Sequence, residues 1–495
     1  MASATVKGVD GKEFQVPTGL FISNEFVPAT QSATLDLENP ATGSFLATVS
    51  AAQSADVDKA VASSKAAFQE WRKVAPEQRR ALLNRLGDLI ERDGPELATI
   101  EAVDAGILYG MSLGKSVALA AETCRYFAGW ADKIQGKTIN IEDGFAYTKR
   151  GPIGVCAAIV PWNMPLMITM WKLAPAIASG NTLIIKTPEV APLFGQKLGQ
   201  LVAEAGFPPG VINIVCGLGN VAGQRLAEHN EVRKLSFTGS AVVGRAIMAI
   251  AAKTNLKKVT LELGGKGPSI VFADADWNNA LFWTTAGITV HNGQICAAGS
   301  RIYVQDEIYD KFVEEFSARS RESVAGDPLL KTTTKGPLAS GLQKERVMGY
   351  VKKGQEECLE VLYGDQADGM PDRGHFVPNV AFSNVKPTSS LIRDEIFGPV
   401  ATVSRFKTEE EAIALANDSE YGLAASVFTS RVDRAMRVSD AVEAGVVTIN
   451  MWGTVNANTP FGGIKQSGFG RDCGEEAMDE WTETKCVQFN MTPLP

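Results

Sequence analysis

One cysteine lies within a run of small residues, HNGQICAAGSR, at positions 291–301. A structural cysteine is usually packed among large aliphatic side chains, where its thiol behaves as a small hydrophobe. Small neighbours such as Gly293 and Ala297 would instead leave the thiol of Cys296 accessible, and a nucleophile needs access. The segment therefore predicts a reactive thiol, with a packed core cysteine as the alternative. His291 is interpreted as a packing or helix-surface residue rather than as the base for this thiol.

A carboxylate and an amide stand where each could assist a reaction at a carbonyl group. Glu262 lies near the end of the strand-like run TLEL, which precedes a glycine pair, and apolar surroundings raise the pKa of a carboxyl group toward that of a general base. Asn163, in the turn PWNMP, has an NH2 group that can donate to a carbonyl oxygen. The structural alternatives are an edge-strand carboxylate facing water for Glu262, and an Asx turn capping the following helix for Asn163.

Two further motifs follow strand-like runs and suit a dinucleotide. In KTPE (186–189), Lys186 and Glu189 can hold ribose hydroxyls, and the carboxylate would repel a phosphate placed there. In FTGSAVVG (237–244), Gly239 and Ser240 stand at a helix N-terminus, which suits a pyrophosphate. Neither motif is the standard G-x-G-x-x-G fingerprint, so each one alone is weak.

The elements that must position these residues alternate between short β-branched runs and segments of helix length. The strand-like runs of the first half are 154–160, 182–186, 211–216, 233–237 and 257–263. Such alternation is typical of a parallel sheet with helices on both faces, and residues 52–104 predict amphipathic helices that cover it. Open α/β sheets bind nucleotides at the carboxyl ends of their strands. The chain is therefore predicted to be an α/β protein with a Rossmann-like cofactor domain.

A second alternation begins after Gly264 and continues to about residue 466, which predicts a second α/β domain. Its last strand, AGVVTINMW (444–452), is expected to be buried. The tail contains the alternating stretch TKCVQFNM, whose predicted partner is either FAYTKRGP (145–152) or another subunit.

Composition bounds the functions that are possible. The chain has 495 residues, more than one ordinary core holds, and its formal net charge of −8 argues against nucleic acid or an anionic membrane as a partner. It shows neither a secretory signal nor a run of about 20 apolar residues, so a cytoplasmic location is expected. The seven cysteines never occur as CxxC and there are only three histidines, which predicts reduced thiols and no metal site.

Taken together, the motifs resemble the NAD(P)-dependent aldehyde dehydrogenase superfamily. PWN, K-x-x-E, FTGS-x-x-x-G, ELGGK and GQ-x-C-x-x-G-S-R occur in that order, and EIFGPV and PFGGIKQSGFGR continue the match. The resemblance extends from residue 21 to residue 487. It implies an NAD-binding domain (1–133 and 153–264), a catalytic domain (265–466) and a small β oligomerisation arm (134–152 and 474–495).

The resemblance also implies a reaction. Cys296 would attack the aldehyde carbon, with the oxyanion held by the Asn163 side chain and the Cys296 amide. Hydride transfer to the nicotinamide would leave a thioester, which water activated by Glu262 would hydrolyse to the carboxylic acid. Lys172 and Asp472 match a pair to which a proton relay is attributed. Many relatives have Glu at position 472, so the shorter acid is expected to weaken that relay.

The cofactor and substrate residues follow from the same resemblance. The cofactor is expected to be NAD, with NADP less favoured because Glu189 would repel the 2′-phosphate. The residues implied to bind it are Trp162, Lys186, Glu189, Gly239, Ser240, Gly244, Gln343, Arg346, Glu395 and Phe397. Those implied to line the substrate pocket are Met164, Met167, Trp171, Ile295, Ala297, Val455 and Phe461. Val455 replaces a residue that is often aromatic, so a wide pocket is expected.

Several alternatives stay open at this point. The enzyme could serve a biosynthetic pathway with a bulky or aromatic aldehyde, or could show a thioester hydrolase side activity. A CoA-acylating relative would lack the base at Glu262, and a structural role, as in some lens proteins of the family, would be expected to lose that base or the thiol. A homodimer or homotetramer is implied, and the segment 361–380 is expected to form a loop of altered shape.

Overall fold

The computed structural model describes residues 2–357, 359–364 and 369–492. Within these ranges the strands, β1 to β24 in chain order, are Ser3–Lys7, Glu13–Pro17, Leu20–Ile22, Glu25–Val27, Thr34–Asn39, Ser44–Ser50, Thr138–Ile141, Gly144–Pro152, Val155–Ile159, Thr182–Thr187, Ile212–Cys216, Lys234–Thr238, Lys258–Glu262, Pro268–Val271, Arg301–Gln305, Glu360–Tyr363, Val380–Ser383, Val400–Phe406, Tyr421–Gly422, Ala424–Phe428, Val446–Ile449, Ile464–Lys465, Gly468–Phe469 and Thr482–Asn490.

The helices of the same ranges, α1 to α16, are Ser54–Trp71, Pro76–Arg92, Gly94–Ala105, Tyr109–Met111, Ala118–Ala128, Pro165–Ala178, Leu193–Ala205, Gln224–Glu228, Ala241–Lys253, Trp277–Thr289, Tyr309–Arg321, Gly341–Glu356, Ser390–Arg393, Glu409–Asn417, Val432–Ala441 and Glu476–Glu480. A π-helical segment, Ser112–Val117, joins α4 to α5. None of these helices has the length and apolarity needed to cross a bilayer.

The first sheet has eight strands in the order β23-β13-β12-β9-β10-β11-β3-β4, and its five central strands, β9 to β13, run parallel. The predicted α/β class is therefore confirmed. Alternate residues of β9 enter two different core clusters, Cys156 and Ala158 in one and Ala157 and Ile159 in the other. This division shows that helices cover both faces, which is why the strands are continuous apolar runs.

The helices predicted over 52–104 form as α1, α2 and α3, but α3 is not amphipathic. Ten of its twelve residues are buried, including Glu101 and Asp104. Because Glu101 and Asp104 are buried away from water, their carboxyl groups need hydrogen-bond partners within the protein. Glu101 accepts hydrogen bonds from the hydroxyls of Ser112 and Ser116 and from the backbone N–H of Leu166. The carboxylate thereby ties the π-helical segment to the first turn of α6.

The second sheet has seven strands in the order β16-β17-β18-β15-β14-β20-β21. The prediction that 444–452 forms a buried strand is wrong in one respect, because all four residues of β21 are only half-buried. The reason is its place at the edge of the sheet, where β20 is its neighbour. The turn that follows it carries Trp452, whose side chain is buried.

A third sheet, β24-β8-β7, is formed by the tail and by residues 138–152. β24 and β8 pair antiparallel from Thr482 opposite Pro152 to Asn490 opposite Gly144. The tail therefore finds its partner within the chain, the first of the two alternatives that the sequence left open.

The loop expected over 361–380 is only partly within the described residues, because 365–368 lie outside them. The part after Gly369 packs on the hairpin formed by β5 and β6, with His375 Nε2 placed 2.6 Å from Glu38 Oε1 and the His375 N–H donating to the Pro40 carbonyl. That the loop differs in shape from those of relatives stays a prediction.

Candidate active site

The chemistry-bearing motifs meet at the carboxyl edge of the first sheet. Asn163 follows β9, Lys186 lies near the end of β10, Ser240 follows β12, and Glu262 is the last residue of β13. Since β9, β10, β12 and β13 are parallel, all four strands end at the same edge. The loop that carries Cys296 approaches this edge from the second sheet, between α10 and β15.

The loop before Cys296 has an unusual backbone. His291 and Asn292 have φ values of +48° and +54°, a region that non-glycine residues enter at a cost in energy. Asn292 is held there, since its amide donates to the Gly336 carbonyl at 2.8 Å and its oxygen accepts from Lys335 Nζ at 2.6 Å. The surrounding structure thus fixes the direction from which the chain reaches Cys296.

The small residues around Cys296 have a packing role that the sequence did not reveal. A Cβ at Gly293 would lie 2.4 Å from the Gly398 carbonyl oxygen, and one at Gly299 would lie 2.5 Å from Ser269 Oγ. These two glycines are therefore required by packing, because the protein's own atoms occupy the space that a side chain would need. Ala297 does line a cavity beside the sulfur.

Burial and, after it, the nearby carboxyl groups of Glu262 and Glu395 together raise the pKa of the Cys296 thiol to about 12, against hydrogen bonds from the amides of Ala297 and Cys296. The thiol is therefore protonated near neutral pH and needs a base. His291 is unsuited to that role because it is buried, its pKa is lowered to about 4 by burial, and no hydrogen bond joins it to Cys296 among the described residues.

Asn163 is buried and aimed at the Cys296 loop. Its Nδ2 donates to the Gln294 carbonyl at 2.9 Å, which leaves the second hydrogen of the amide free for another acceptor. Pro165 is the first residue of α6, where the N–H that proline lacks would have no partner within the helix, and the N-cap position is occupied by Met164. The amide is therefore a positioned donor and not the cap of α6.

Glu262 is buried at the end of β13, between β12 and β23, so it is not an edge carboxylate facing water. Neither carboxylate oxygen has a hydrogen-bond partner among the described residues. Burial raises its pKa well above the ordinary value and the Asp472 charge raises it further, opposed by Lys172. A Cβ at Gly462 would lie 2.7 Å from Oε1, so that glycine leaves the carboxylate its space.

Lys172 and Asp472 form a buried ion pair behind Glu262. Burial raises the pKa of Asp472, and the Lys172 ammonium acts in the opposite direction. The backbone of Asp472 also exchanges two hydrogen bonds with Phe461, at 2.7 and 2.8 Å. Asp472 therefore acts on the pKa of Glu262 and is also hydrogen-bonded to Phe461, a residue predicted to line the substrate pocket.

Replacing Asp472 with asparagine should destabilise the protein, because it leaves the Lys172 ammonium buried without a counter-charge. Removing one partner of a buried ion pair costs about 3–5 kcal/mol. The thermal unfolding midpoint of Asp472→Asn should therefore fall clearly below that of Asp440→Asn, which changes an exposed aspartate. Equal midpoints for the two variants would show that the ion pair does not stabilise the fold.

The larger of two adjoining cavities, about 180 Å³, runs along the edge of the first sheet. It brings together seven of the predicted cofactor residues, namely Trp162, Gly239, Ser240, Gln343, Arg346, Glu395 and Phe397. Asn163, Glu262 and Cys296 line it as well. Pro161, Thr238, Leu263 and Gly264 also line it, and the sequence analysis had not assigned them to the cofactor site.

The walls of this cavity are held by contacts of the segment 395–397 with the turn after β9 and with α12. The rings of Trp162 and Phe397 meet edge to face at 5.3 Å. Gln343 donates to the Phe397 carbonyl at 2.7 Å, and Arg346 donates to the Glu395 carbonyl at 2.6 Å. Burial raises the pKa of Glu395 to about 7. The Glu395 carboxylate occupies the space that a side chain at position 264 would need. This explains why the first glycine of the ELGGK motif, Gly264, has no side chain.

Three predicted cofactor residues lie outside the lining of this cavity. Lys186 and Glu189 form an ion pair at 2.7 Å at the end of β10. Burial would raise the pKa of Glu189, but Lys186 holds it below the ordinary value. Gly244 packs on Leu263, where a Cβ would lie 2.8 Å from a methyl group. Its small size therefore serves the packing of α9 on β13.

The smaller cavity, about 70 Å³, lies on the other side of Cys296. All seven predicted pocket residues line it, from Met164 in the turn before α6 to Phe461. The lining also contains residues that were not predicted from the sequence, namely Met111, Lys115, Leu119, Ile168, Val290, Trp452 and Gly453. The first three recur at intervals of four residues, a helical spacing that could have revealed a common face.

Asn163 and Cys296 line both cavities. A nucleotide-sized cleft and an apolar pocket therefore share one thiol and one amide donor, with the Glu262 carboxylate in the cleft. This arrangement is typical of α/β enzymes that hold a dinucleotide in a cleft beside a small, apolar substrate pocket.

Comparison with known proteins places the chain within that class. The model of the aldehyde dehydrogenase family matches residues 26–487, and the chain belongs to this family. It is similar to an aldehyde dehydrogenase of Alternaria alternata, at 46% identity over 99% of both chains. It is also similar to a mitochondrial aldehyde dehydrogenase of Mesocricetus auratus, at 45% identity over 95% of both. The solved NAD+ complex of a Bacillus cereus aldehyde dehydrogenase superimposes with a TM-score of 0.94, at 40% identity, and covers 96% of this chain and 97% of that one.

Proposed function

We propose that the protein oxidises an aldehyde to the carboxylic acid with NAD, through a thiohemiacetal and then a thioester on Cys296. The observation that carries the proposal is the meeting of the two cavities at Cys296 and Asn163. An aldehyde in the smaller cavity can present its carbonyl carbon to the sulfur, while the reacting carbon also faces the cleft.

The first step needs the thiol proton to leave. That proton can pass to solvent through the open cleft as the sulfur attacks the carbonyl carbon. The Glu262 carboxylate, with its raised pKa and two unpaired oxygens, stays available for the second step. The oxyanion that forms accepts hydrogen bonds from Asn163 Nδ2 and the Cys296 N–H, both prepositioned by the Gln294 contact and the rigid loop. NAD bound in the cleft supplies the acceptor for the hydride of the thiohemiacetal carbon, which becomes a thioester.

The second step is hydrolysis. Glu262 takes a proton from water, the water oxygen bonds to the acyl carbon, and the carbon–sulfur bond breaks. The carboxylic acid leaves and the thiol is restored. The nearby ion pair of Lys172 and Asp472 affects the pKa of Glu262 in this step: the Asp472 charge raises it and the Lys172 charge lowers it.

The residues along the cleft fit a dinucleotide. The Thr238 hydroxyl is buried and has no partner among the described residues, so it is free for a ligand. Ser240 caps the N-terminus of α9, which favours a pyrophosphate beside it. The Lys186–Glu189 pair at the end of β10 would hold the adenosine ribose, and the carboxylate disfavours the 2′-phosphate of NADP.

Replacing Glu189 with glutamine should therefore shift the preference toward NADP. Removal of one like-charge contact should raise the ratio of kcat/KM for NADP over NAD by about tenfold or more. Steady-state rates with both cofactors measure the ratio, and Glu307→Gln, at an exposed position, is the matched control. An unchanged ratio in Glu189→Gln would remove the charge argument for NAD.

A panel of aldehydes tests the reaction as a whole. Reduced cofactor and carboxylic acid should form in equal amounts without CoA, since the water-activating base is in place. Cofactor reduction only with CoA present, with acyl-CoA as the product, would contradict the proposal. Cleavage of an added thioester without NAD, together with no oxidation of any aldehyde, would instead support the thioester hydrolase alternative. Bulky and aromatic aldehydes belong in the panel because Val455 and Ala297 add little bulk to the pocket.

The protein is further proposed to act in the cytosol as a homodimer or homotetramer. The three-stranded sheet β24-β8-β7 carries exposed apolar side chains, Ile139, Ile141 and Phe489, which a second subunit would cover.

A further inference from the structure

The smaller cavity contains one side chain whose chemistry the reaction at Cys296 does not use. Of the described residues that line it, Lys115 alone carries a full charge. Its neighbours in the lining are almost entirely apolar, among them Met111, Leu119 and Val455. Because Lys115 is exposed overall, its methylene stem lies along this apolar surface while the ammonium group reaches water.

The ammonium group lacks an ionic partner within the protein. Among the described residues, no carboxylate lies within ion-pair distance of Lys115, and its hydrogen bond to the Gly453 carbonyl is long, at 3.4 Å. Burial of the side chain lowers its pKa, as expected for an ammonium without a counter-charge. The group therefore retains unused hydrogen-bonding capacity.

There is also room for a ligand beside it. A Cβ built at Gly453 or at Gly114 would meet no atom within 4 Å. Lys115 itself is an exposed residue, whereas Met164 and Phe461 of the same cavity are buried. The ammonium group therefore marks the solvent end of the cavity, and Cys296 lies in the lining that the cavity shares with the cleft.

We propose that Lys115 binds an anionic group at the far end of the substrate, so that the protein prefers aldehydes with a terminal carboxylate, the semialdehydes of dicarboxylic acids. The inference rests on the proposed function, since it assumes that the carbonyl group reacts at Cys296. A single ammonium group matches a monoanion, and a carboxylate is small enough for a cavity of about 70 Å³. Because the ammonium group lies at the solvent end of the cavity, water and salt partly screen this attraction.

The same charge should act against other aldehydes. An aldehyde with a terminal quaternary ammonium group would be repelled, and an unsubstituted alkanal would leave the ammonium group unpaired. The inference therefore predicts an order of preference: carboxylated aldehydes first, neutral aldehydes of equal length next, and cationic aldehydes last.

The experiment compares kcat/KM for three aldehydes of equal length, with terminal carboxylate, methyl and trimethylammonium groups, over a series of chain lengths. At its best length the carboxylated aldehyde should exceed the neutral one by about tenfold to a hundredfold. Lys115→Met should lose this advantage, mainly through a higher KM, and Lys115→Arg should keep much of it. Lys331→Met, which changes an exposed lysine outside the cavity, should leave the ratio as it is.

Two results would overturn the inference: no preference for the carboxylated aldehyde at any length, or a preference that survives in Lys115→Met. Both leave the proposed function intact, because neutral aldehydes would still be oxidised. If no aldehyde of the panel reduces NAD, the failure lies with the proposed function instead. Salt gives an independent readout, since added salt should reduce the preference in the unmodified protein and have little effect on the ratio in Lys115→Met.

Discussion

Replacement of Cys296 with alanine is expected to abolish aldehyde oxidation, with a loss of about 10⁴-fold or more in kcat. Such losses follow when the nucleophile of a covalent mechanism is removed, because the remaining groups act only on an intermediate that no longer forms. The cleft should still bind NAD, since the walls formed by Trp162, Phe397 and Glu395 do not depend on the sulfur. Rates of cofactor reduction and a fluorescence titration with NAD measure the two effects.

Cys486→Ala is the matched control for that variant. Cys486 is an exposed cysteine on β24, whereas Cys124, Cys156 and Cys216 are buried in the core. Its replacement should leave the rate of oxidation essentially as it is. Measurable turnover by Cys296→Ala above about one part in a thousand of the normal rate would show that the thiol is not the nucleophile.

Replacement of Glu262 with glutamine is expected to separate the two halves of the reaction. One equivalent of reduced cofactor should form per active site and turnover should then stall, because water is no longer activated to attack the thioester. Loss of a general base lowers the rate of the step it serves by about 10²- to 10⁴-fold. Rapid-mixing absorbance of the reduced cofactor distinguishes the burst from the steady state.

In the unmodified protein, the rate of deacylation should rise with pH if Glu262 is the base that activates water. A base acts only when deprotonated, so the rate should increase as the pH passes the pKa of Glu262. Burial and the Asp472 charge raise this pKa, which moves the rise above the pH at which an ordinary glutamate would titrate. In Asp472→Asn the rise should move to lower pH, since a negative charge has been removed.

The control for the second prediction is Glu307→Gln, at an exposed position outside the lining of both cavities. It should show continuous turnover and no burst. A linear, unchanged steady state in Glu262→Gln would contradict the role of this carboxylate, and a variant that forms no reduced cofactor at all would place its role before hydride transfer.

Much of the fold could be predicted because its signals are local. The runs that became β9 to β13 are apolar and β-branched throughout, since helices cover both faces of the sheet. For the same reason, the sequence predicted that Glu262 lies at the end of a strand and that Asn163 follows β9. Parallel strands bring such residues to one edge wherever they lie in the chain.

Other features depend on contacts between distant segments, which local patterns do not encode. The half-buried state of β21 follows from its place at the sheet edge, and the small size of Gly293 and Gly299 follows from atoms of Gly398 and Ser269. Lys115 was missed because a lysine in a helical stretch normally faces water. Only the packing of this segment on α6, to which Glu101 contributes, brings the ammonium group to the substrate cavity.

Intact-protein mass spectrometry of Glu262→Gln, quenched in acid after mixing with NAD and a simple aldehyde, tests the central assignment most directly. The sulfur, the amide and the carboxylate are assigned to a single carbonyl group, so the protein should gain the mass of one acyl group, and peptide mapping should place it on Cys296. Reduced cofactor formed without any acyl adduct, or an adduct on another residue, would contradict that assignment.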